Sequence, residues 1–377
     1  MKKFLKIVLS LVLGMAIGLA IAALLIVLFT DTTFSEFAAK FNNVAISEAL
    51  LSGFVGLVAA VISFIIIVIS HEAGHLLFGI LSGYRFVSFR IFNLTLIKKD
   101  GRFALKRFSI AGTGGQCLLL PPDRPIEKIP TAWYNFGGVF VNILELIAAF
   151  FILQAASNAF IIESLVIFIL IDAILILING IPMKISGAGN DAYNMFALRK
   201  NMIAKRGLMD ALRINCEAQN GTRPKDMPDA WFLVPDTIDF KNPLEVSIPL
   251  SAASRLVDEL EFEEALKMFE DIYSHKDSII PLYRKEIECE LVFLFLVCGK
   301  TDEAKTLLTP DLKRYIVTYR NVMSSKQRIL CAIDLYIDNN REKADEIYRN
   351  VLSHKNDYLM QGEVISDIAI MRKILGK

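Results

Sequence analysis

Two histidines four positions apart, with a glutamate beside the first, are the residues of this chain best suited to chemistry: His71-Glu72-Ala73-Gly74-His75. On a helix, positions i and i+4 share a face, so both imidazoles can bind one metal ion. The pattern is HExxH, in which the glutamate takes a proton from a zinc-activated water. Ala73 and Gly74 are small and leave room for a metal and for close backbone approach. The chain has 4 histidines, and the other two, His275 and His354, sit next to lysines in its second half.

The elements that must position this pentapeptide are apolar. It interrupts a run from Ala49 to Gly83, and three ionisable side chains in such a run are costly and seldom incidental. Hydrophobic residues make up 54% of the chain, and the long apolar stretches are concentrated in residues 1–182. Further spans fit at Phe4–Phe29, about Trp133–Ala156 and Leu165–Ile181, so about four crossings are expected. The first is too long for the core of a cleaved signal peptide and is read as retained. Segment 84–130 holds nine basic residues against three acids, which places it and both termini in the cytosol. A net charge of +1 points to no nucleic-acid partner.

A catalytic zinc usually takes three protein ligands plus water. No third histidine lies in the apolar half, so the missing ligand is expected to be a carboxylate: Asp191, Asp172 or Glu145. Asp172 lies two helical turns before Asn179 on roughly the same face; otherwise it is a buried, hydrogen-bonded acid of the bundle. Asn142 and Asn179 have two readings. They hold the substrate backbone or a tetrahedral oxyanion, or they hydrogen-bond between helices.

Between the second and third spans, residues 84–92, 94–97 and 102–108 read as strands, with a hairpin turn at Asp100-Gly101. Such strands offer an edge to which an extended peptide can pair. Gly112-Thr113-Gly114-Gly115 lacks the Lys-Ser/Thr of a phosphate loop. In the second half, Ala265/Phe269, Ala304/Leu308 and Ala344/Tyr348 recur at intervals of 39 and 40 residues. The small-then-bulky pattern is similar to tetratricopeptide helical hairpins, although their period is usually about 34. The 5 cysteines are scattered without a CxxC pair, which argues for free thiols rather than a disulfide framework or a four-cysteine metal site.

HEAGH in an apolar helix, followed by a basic β-loop, resembles the site-2 protease family of intramembrane zinc metalloproteases. Asn179-Gly180-Ile181-Pro182 followed by Asn190-Asp191 is similar to that family's Asn-x-x-Pro and Asp-Gly pair. Gly137-Gly138-Val139-Phe140-Val141-Asn142 is similar to the small-residue-then-Asn motif of its intervening span. The resemblance covers residues 49–195 and implies Asp191 as third zinc ligand. Two features depart from it: the Asn179-to-Asp191 spacing is longer than usual, and Ala192 stands where glycine is common.

The expected class is therefore mainly α. A polytopic helical bundle carries a small cytosolic β-hairpin region and a soluble, repeat-like helical domain. The expected division is 1–48 anchor and outer loop, 49–195 metalloprotease core, 196–247 connector and 248–377 helical repeats. The resemblance implies a Zn²⁺-dependent endopeptidase acting on transmembrane proteins or peptides, in a multi-pass membrane setting. Together with the Met-Lys-Lys start, it suggests a bacterial plasma membrane. The helical repeats would engage a protein partner. The alternative is a non-proteolytic membrane chaperone or adaptor that works through those repeats.

Overall fold

The structure is a computed structural model that describes Thr33 and residues 46–99, 102–108, 114–185 and 187–377. The expected span at Phe4–Phe29 and the Asp100-Gly101 turn lie outside the described residues. Among those described, three helices are long and apolar enough to cross a membrane. They are α1 (Ile46–Leu81), α2 (Ala132–Ala155) and α3 (Ala159–Gly180). Their outward surfaces are hydrocarbon: Phe54, Phe151 and Leu177 are all more than half exposed. Lipid accepts such a surface, and the helices satisfy their own backbone groups, as a bilayer requires.

Small residues let α1 and α2 meet at backbone contact. A methyl group on Gly137 would lie 2.5 Å from the Gly74 carbonyl oxygen, and one on Gly74 would collide with the Gly137 carbonyl. The third helix joins α2 through a three-residue turn, where the Asn158 side chain accepts from the amides of Phe160 and Ile161.

Between α1 and α2 the chain forms an antiparallel sheet in the order β3-β2-β1-β4. Its strands are β1 (Arg85–Ile91), β2 (Leu94–Lys99), β3 (Arg102–Arg107) and β4 (Gly115–Leu120). Strands β1–β3 follow the sequence pattern; β4 and the Phe92-Asn93 turn do not have an obvious signal in it. Val87, Cys117 and Leu119 pack against Met209, Leu212 and Cys216 of a further helix, α5 (Met202–Asn220). The other side of α5 meets α6 (Pro243–Glu259) and α13 (Gln361–Ile374), so this helix connects sheet and C-terminal region.

That region is entirely helical. Helices α7 (Phe262–Ser274), α8 (Pro281–Val297), α9 (Thr301–Leu307), α10 (Pro310–Tyr319), α11 (Ser324–Tyr336) and α12 (Arg341–Ser353) follow α6. Neighbours pair as α6 with α7, α8 with α9 and α11 with α12. Ala265, Ala304 and Ala344 each lie near the start of the later helix of a pair, fully buried. An alanine there lets the two helices of a pair approach closely. All five cysteines are free thiols.

Replacing Gly74 with alanine forces backbone against backbone, an overpacking that costs about 1–3 kcal/mol. Thermal unfolding in detergent should therefore show a lower midpoint for Gly74→Ala. Gly53→Ala, where nothing lies within 4 Å, should leave the midpoint unchanged or raised.

Candidate metal centre

His71 and His75 extend from one face of α1, and Asp191 opens the helix α4 (Asp191–Lys200) that follows α3. The Nε2 atoms of the two rings are 3.2 Å apart. Asp191 Oδ2 lies 3.1 Å from that of His71 and 3.4 Å from that of His75. Among the described residues these three are the cluster of His, Cys, Asp or Glu able to hold a metal ion.

The protons on the rings are fixed by their other nitrogens. His75 Nδ1 is 2.7 Å from the carbonyl oxygen of Tyr134, which can only accept, so Nδ1 carries hydrogen. His71 Nδ1 is 2.6 Å from Asn142 Oδ1. The Asn142 amide is oriented in turn, because its Nδ2 donates to Asp172 Oδ1 at 2.7 Å. In their neutral forms both imidazoles thus point an Nε2 lone pair at the other and at a carboxylate oxygen. Asp191 Oδ2 is buried and has no hydrogen-bond donor.

With both rings neutral, three electron-rich atoms within 3.4 Å of one another repel unless a cation, a proton or a metal ion, lies among them. Bonds of about 2.0–2.1 Å to a tetrahedral zinc place ligand atoms about 3.3 Å apart, which this triangle matches. The centre also has room. A methyl group on Gly138 would lie 2.7 Å from both Nε2 atoms, in the space such an ion needs. The residues present therefore fit zinc. Burial pushes the Asp191 carboxyl up, but positive charge beside it, carried by His75 and His71 when those rings are protonated, outweighs burial and holds the group well below the usual carboxylate range. Asp191 is an anion at neutral pH.

Asn190 brings Asp191 back to the helix that carries the histidines. Pro182 follows the end of α3, and a minimal hairpin of β5 (Lys184–Ile185) and β6 (Ala188–Gly189) reverses the chain. The Asn190 side chain then locks the reversal. Its Nδ2 donates to the carbonyls of Ile178 and Ile181 at 2.5 and 2.6 Å, and its Oδ1 accepts from the amides of Met183 and Tyr193. One amide thus closes the end of α3 and caps α4.

Glu72 lies outside the triangle of ligands. It faces the sheet, where a methyl group on Gly115 would lie 2.5 Å from its Oε1. Arg90 completes this wall. It is buried in β1, and its guanidinium donates to the carbonyl oxygens of Phe92 and Gly115. Burial pushes its pKa down, and the neighbouring Glu72 carboxylate opposes that shift. Sequence patterning gave neither Arg90 nor Asn190 a role in the site, although Asn190 stands in the Asn190-Asp191 motif. An arginine in a strand ordinarily faces water, and a lone asparagine before a helix is a common cap.

The other expected residues lie apart from the triangle. Asp172 bonds Asn142. Glu145 Oε2 accepts from Ser70 Oγ at 2.7 Å. Asn179 Nδ2 donates to Leu175 O on its own helix. No family model, no curated protein and no solved structure matches this chain.

Two substitutions test the centre without touching a ligand. Gly138→Ala fills the space between the rings, and metal analysis of the purified protein should show stoichiometric zinc lost while circular dichroism keeps its helical signature. Asn190→Ala frees the reversal at a cap worth about 1 kcal/mol and should weaken zinc binding in a chelator competition.

Proposed function

We propose that this protein is a zinc-dependent intramembrane endopeptidase of the site-2 protease kind. The observation that carries this reading is the convergence of His71, His75 and Asp191 within a bundle of membrane-length helices, with Glu72 beside them but outside the ligand set. A pure binding site has no use for that unligated carboxylate.

Zinc held by His71, His75 and Asp191 would supply a Lewis acid that activates water and polarises a carbonyl. Glu72 takes a proton from the attacking water as its oxygen bonds the peptide carbon. It returns a proton to the amide nitrogen as the C–N bond breaks, and the new carboxyl group gives up its remaining proton to the amine, so the products are a carboxylate and an ammonium group. Asn142 is sealed at 1% exposure and both ends of its amide are committed within the protein. That leaves Asn179, which is half-buried, as the asparagine available to a substrate backbone.

His71 lies ten residues before the end of α1, about 15 Å along the helix, on the side where the basic sheet is attached. Under the positive-inside rule this is the cytosolic end, where water reaches the site. A helical substrate has its carbonyls and amides tied up and must unwind first. Strand β4 ends the sheet and begins at Gly115, against Glu72, so its outer edge is where an unwound transmembrane segment would pair. The helical C-terminal region, with its tetratricopeptide-like pairing, would bind a protein partner.

Glu72→Gln keeps the shape of the base and removes its proton affinity. Release of a tagged transmembrane peptide by the purified protein should fall about 10²–10⁴-fold, with bound zinc retained. A chaperone or adaptor acting through the C-terminal helices would work equally well in both forms, and undiminished cleavage would reject the assigned base.

A further inference from the structure

The two histidines are held in unlike ways. The Nδ1–H of His75 meets a backbone carbonyl, whereas that of His71 meets a side chain that is itself held by a buried acid. His71, Asn142 and Asp172 come from α1, α2 and α3 in turn, joined by contacts of 2.6 and 2.7 Å. Asn142 is 1% exposed and Asp172 is 0% exposed, so water takes no part in the chain. Asp172 Oδ2 has no hydrogen-bond donor.

An interhelical tie does not need a carboxylate. A serine, an asparagine or a glutamine would bond Asn142 without placing an acid at lipid depth, where a charge is expensive unless it is paired. The acid becomes intelligible if a cation lies at the other end of the chain. Two neutral imidazoles and the Asp191 carboxylate leave a dication with one positive charge that its ligands do not offset, and Glu72, the proposed base, gives up its own negative charge when it takes a proton. A second carboxylate, two hydrogen bonds away, neutralises that positive charge. The intervening amide suits this role because its N–H donates to the acid while its C=O accepts from the ring. Each bond polarises the next, and the Nε2 of His71 becomes a stronger donor to the metal.

We propose that Asp172, acting through Asn142, is a positioning residue that fixes the tautomer of His71 and balances the charge of the bound metal. The inference rests on the metal-centre reading given under Proposed function. It does not require that the bound metal cut peptides.

The test is metal binding by the full-length protein in detergent, stripped with a chelator and titrated with Co²⁺ and Zn²⁺. Asp172→Asn preserves shape and an oxygen acceptor but removes the charge; Asn142→Leu removes the middle link. Ser52→Ala is the control, since Ser52 Oγ bonds Glu163 between α1 and α3 at 3.1 Å, remote from the histidines. Both relay variants should bind either ion about 10–100-fold more weakly and shift the visible absorption of the cobalt form. Ser52→Ala should match wild type in both readouts, whatever it does to the unfolding midpoint. Wild-type affinity and an unchanged cobalt spectrum in Asp172→Asn and Asn142→Leu would reduce the chain to a simple interhelical tie. A wild-type protein that binds neither ion overturns this assignment and the metal centre together. Wild type that binds metal but cleaves nothing, with both variants weakened, upholds the relay while the protease reading fails.

Discussion

Mutual repulsion among three lone pairs is the constraint around which the apolar helical bundle is built. His71, His75 and Asp191 present electron-rich atoms to one another at 3.1–3.4 Å, within a bundle whose outer surface is hydrocarbon. With both rings neutral, nothing in such a cluster attracts until a proton or a metal ion arrives. Its geometry must therefore be imposed by the surrounding structure, and each ligand has its own restraint. Tyr134 O holds one ring and Asn142 the other, while Asn190 holds the turn that delivers the carboxylate. Asn142 is sealed from water, which makes its hold on the ring stiffer than the same contact on an exposed surface.

The bundle can hold this cluster because its closest helix contact is backbone on backbone. Gly74 lies in the turn between the two histidines, and Gly137 meets it from α2. Glycine here serves two ends. It brings Tyr134 O and Asn142 to the rings, and at Gly138 it leaves the space in which an ion would lie. A larger residue at any of these positions pushes α2 outward and loosens both Nδ1 contacts at once. Packing and coordination are thus the same restraint seen from two sides, as expected where association depends on close fit rather than on hydrophobic expulsion from water.

Much of the site was legible in the sequence, and for a physical reason. HExxH needs only helical periodicity to bring its histidines together, and an apolar run of that length can hardly be anything but a helix. The acid was harder. Asp191, Asp172 and Glu145 are equivalent as residue types, and only the chain reversal after Pro182 puts Asp191 among the rings. That reversal depends on a two-residue strand pair and on four hydrogen bonds from Asn190, none of which has periodicity. Strand β4 escaped notice because Gly115–Leu120 follows a glycine-rich stretch and has no alternation, being buried against α1 on one side and α5 on the other. In the C-terminal half the recurring alanines marked where helices touch. The exact partners of those helices follow from packing between distant segments, which spacing alone does not encode.

The proposed base stands on α1 with the histidines, but the wall it faces is built by the sheet. The metal ligands are set by α1–α3 and the turn after α3, but Glu72 leans on Gly115, whose carbonyl is held by Arg90. Arg90 sits in β1, and the sheet is pinned in turn by α5 and, through Lys106 Nζ, by the carbonyls of Asn356 and Tyr358 near the C-terminus. A displacement of the C-terminal helices therefore reaches Glu72 through two links, α5 and Lys106. The same helices reach the metal ligands through α5 and α4, and also through the contacts of β1 and β4 with α1. The base and two of the ligands share α1, so the way the C-terminal helices hold the sheet bears on the histidines as well as on Glu72.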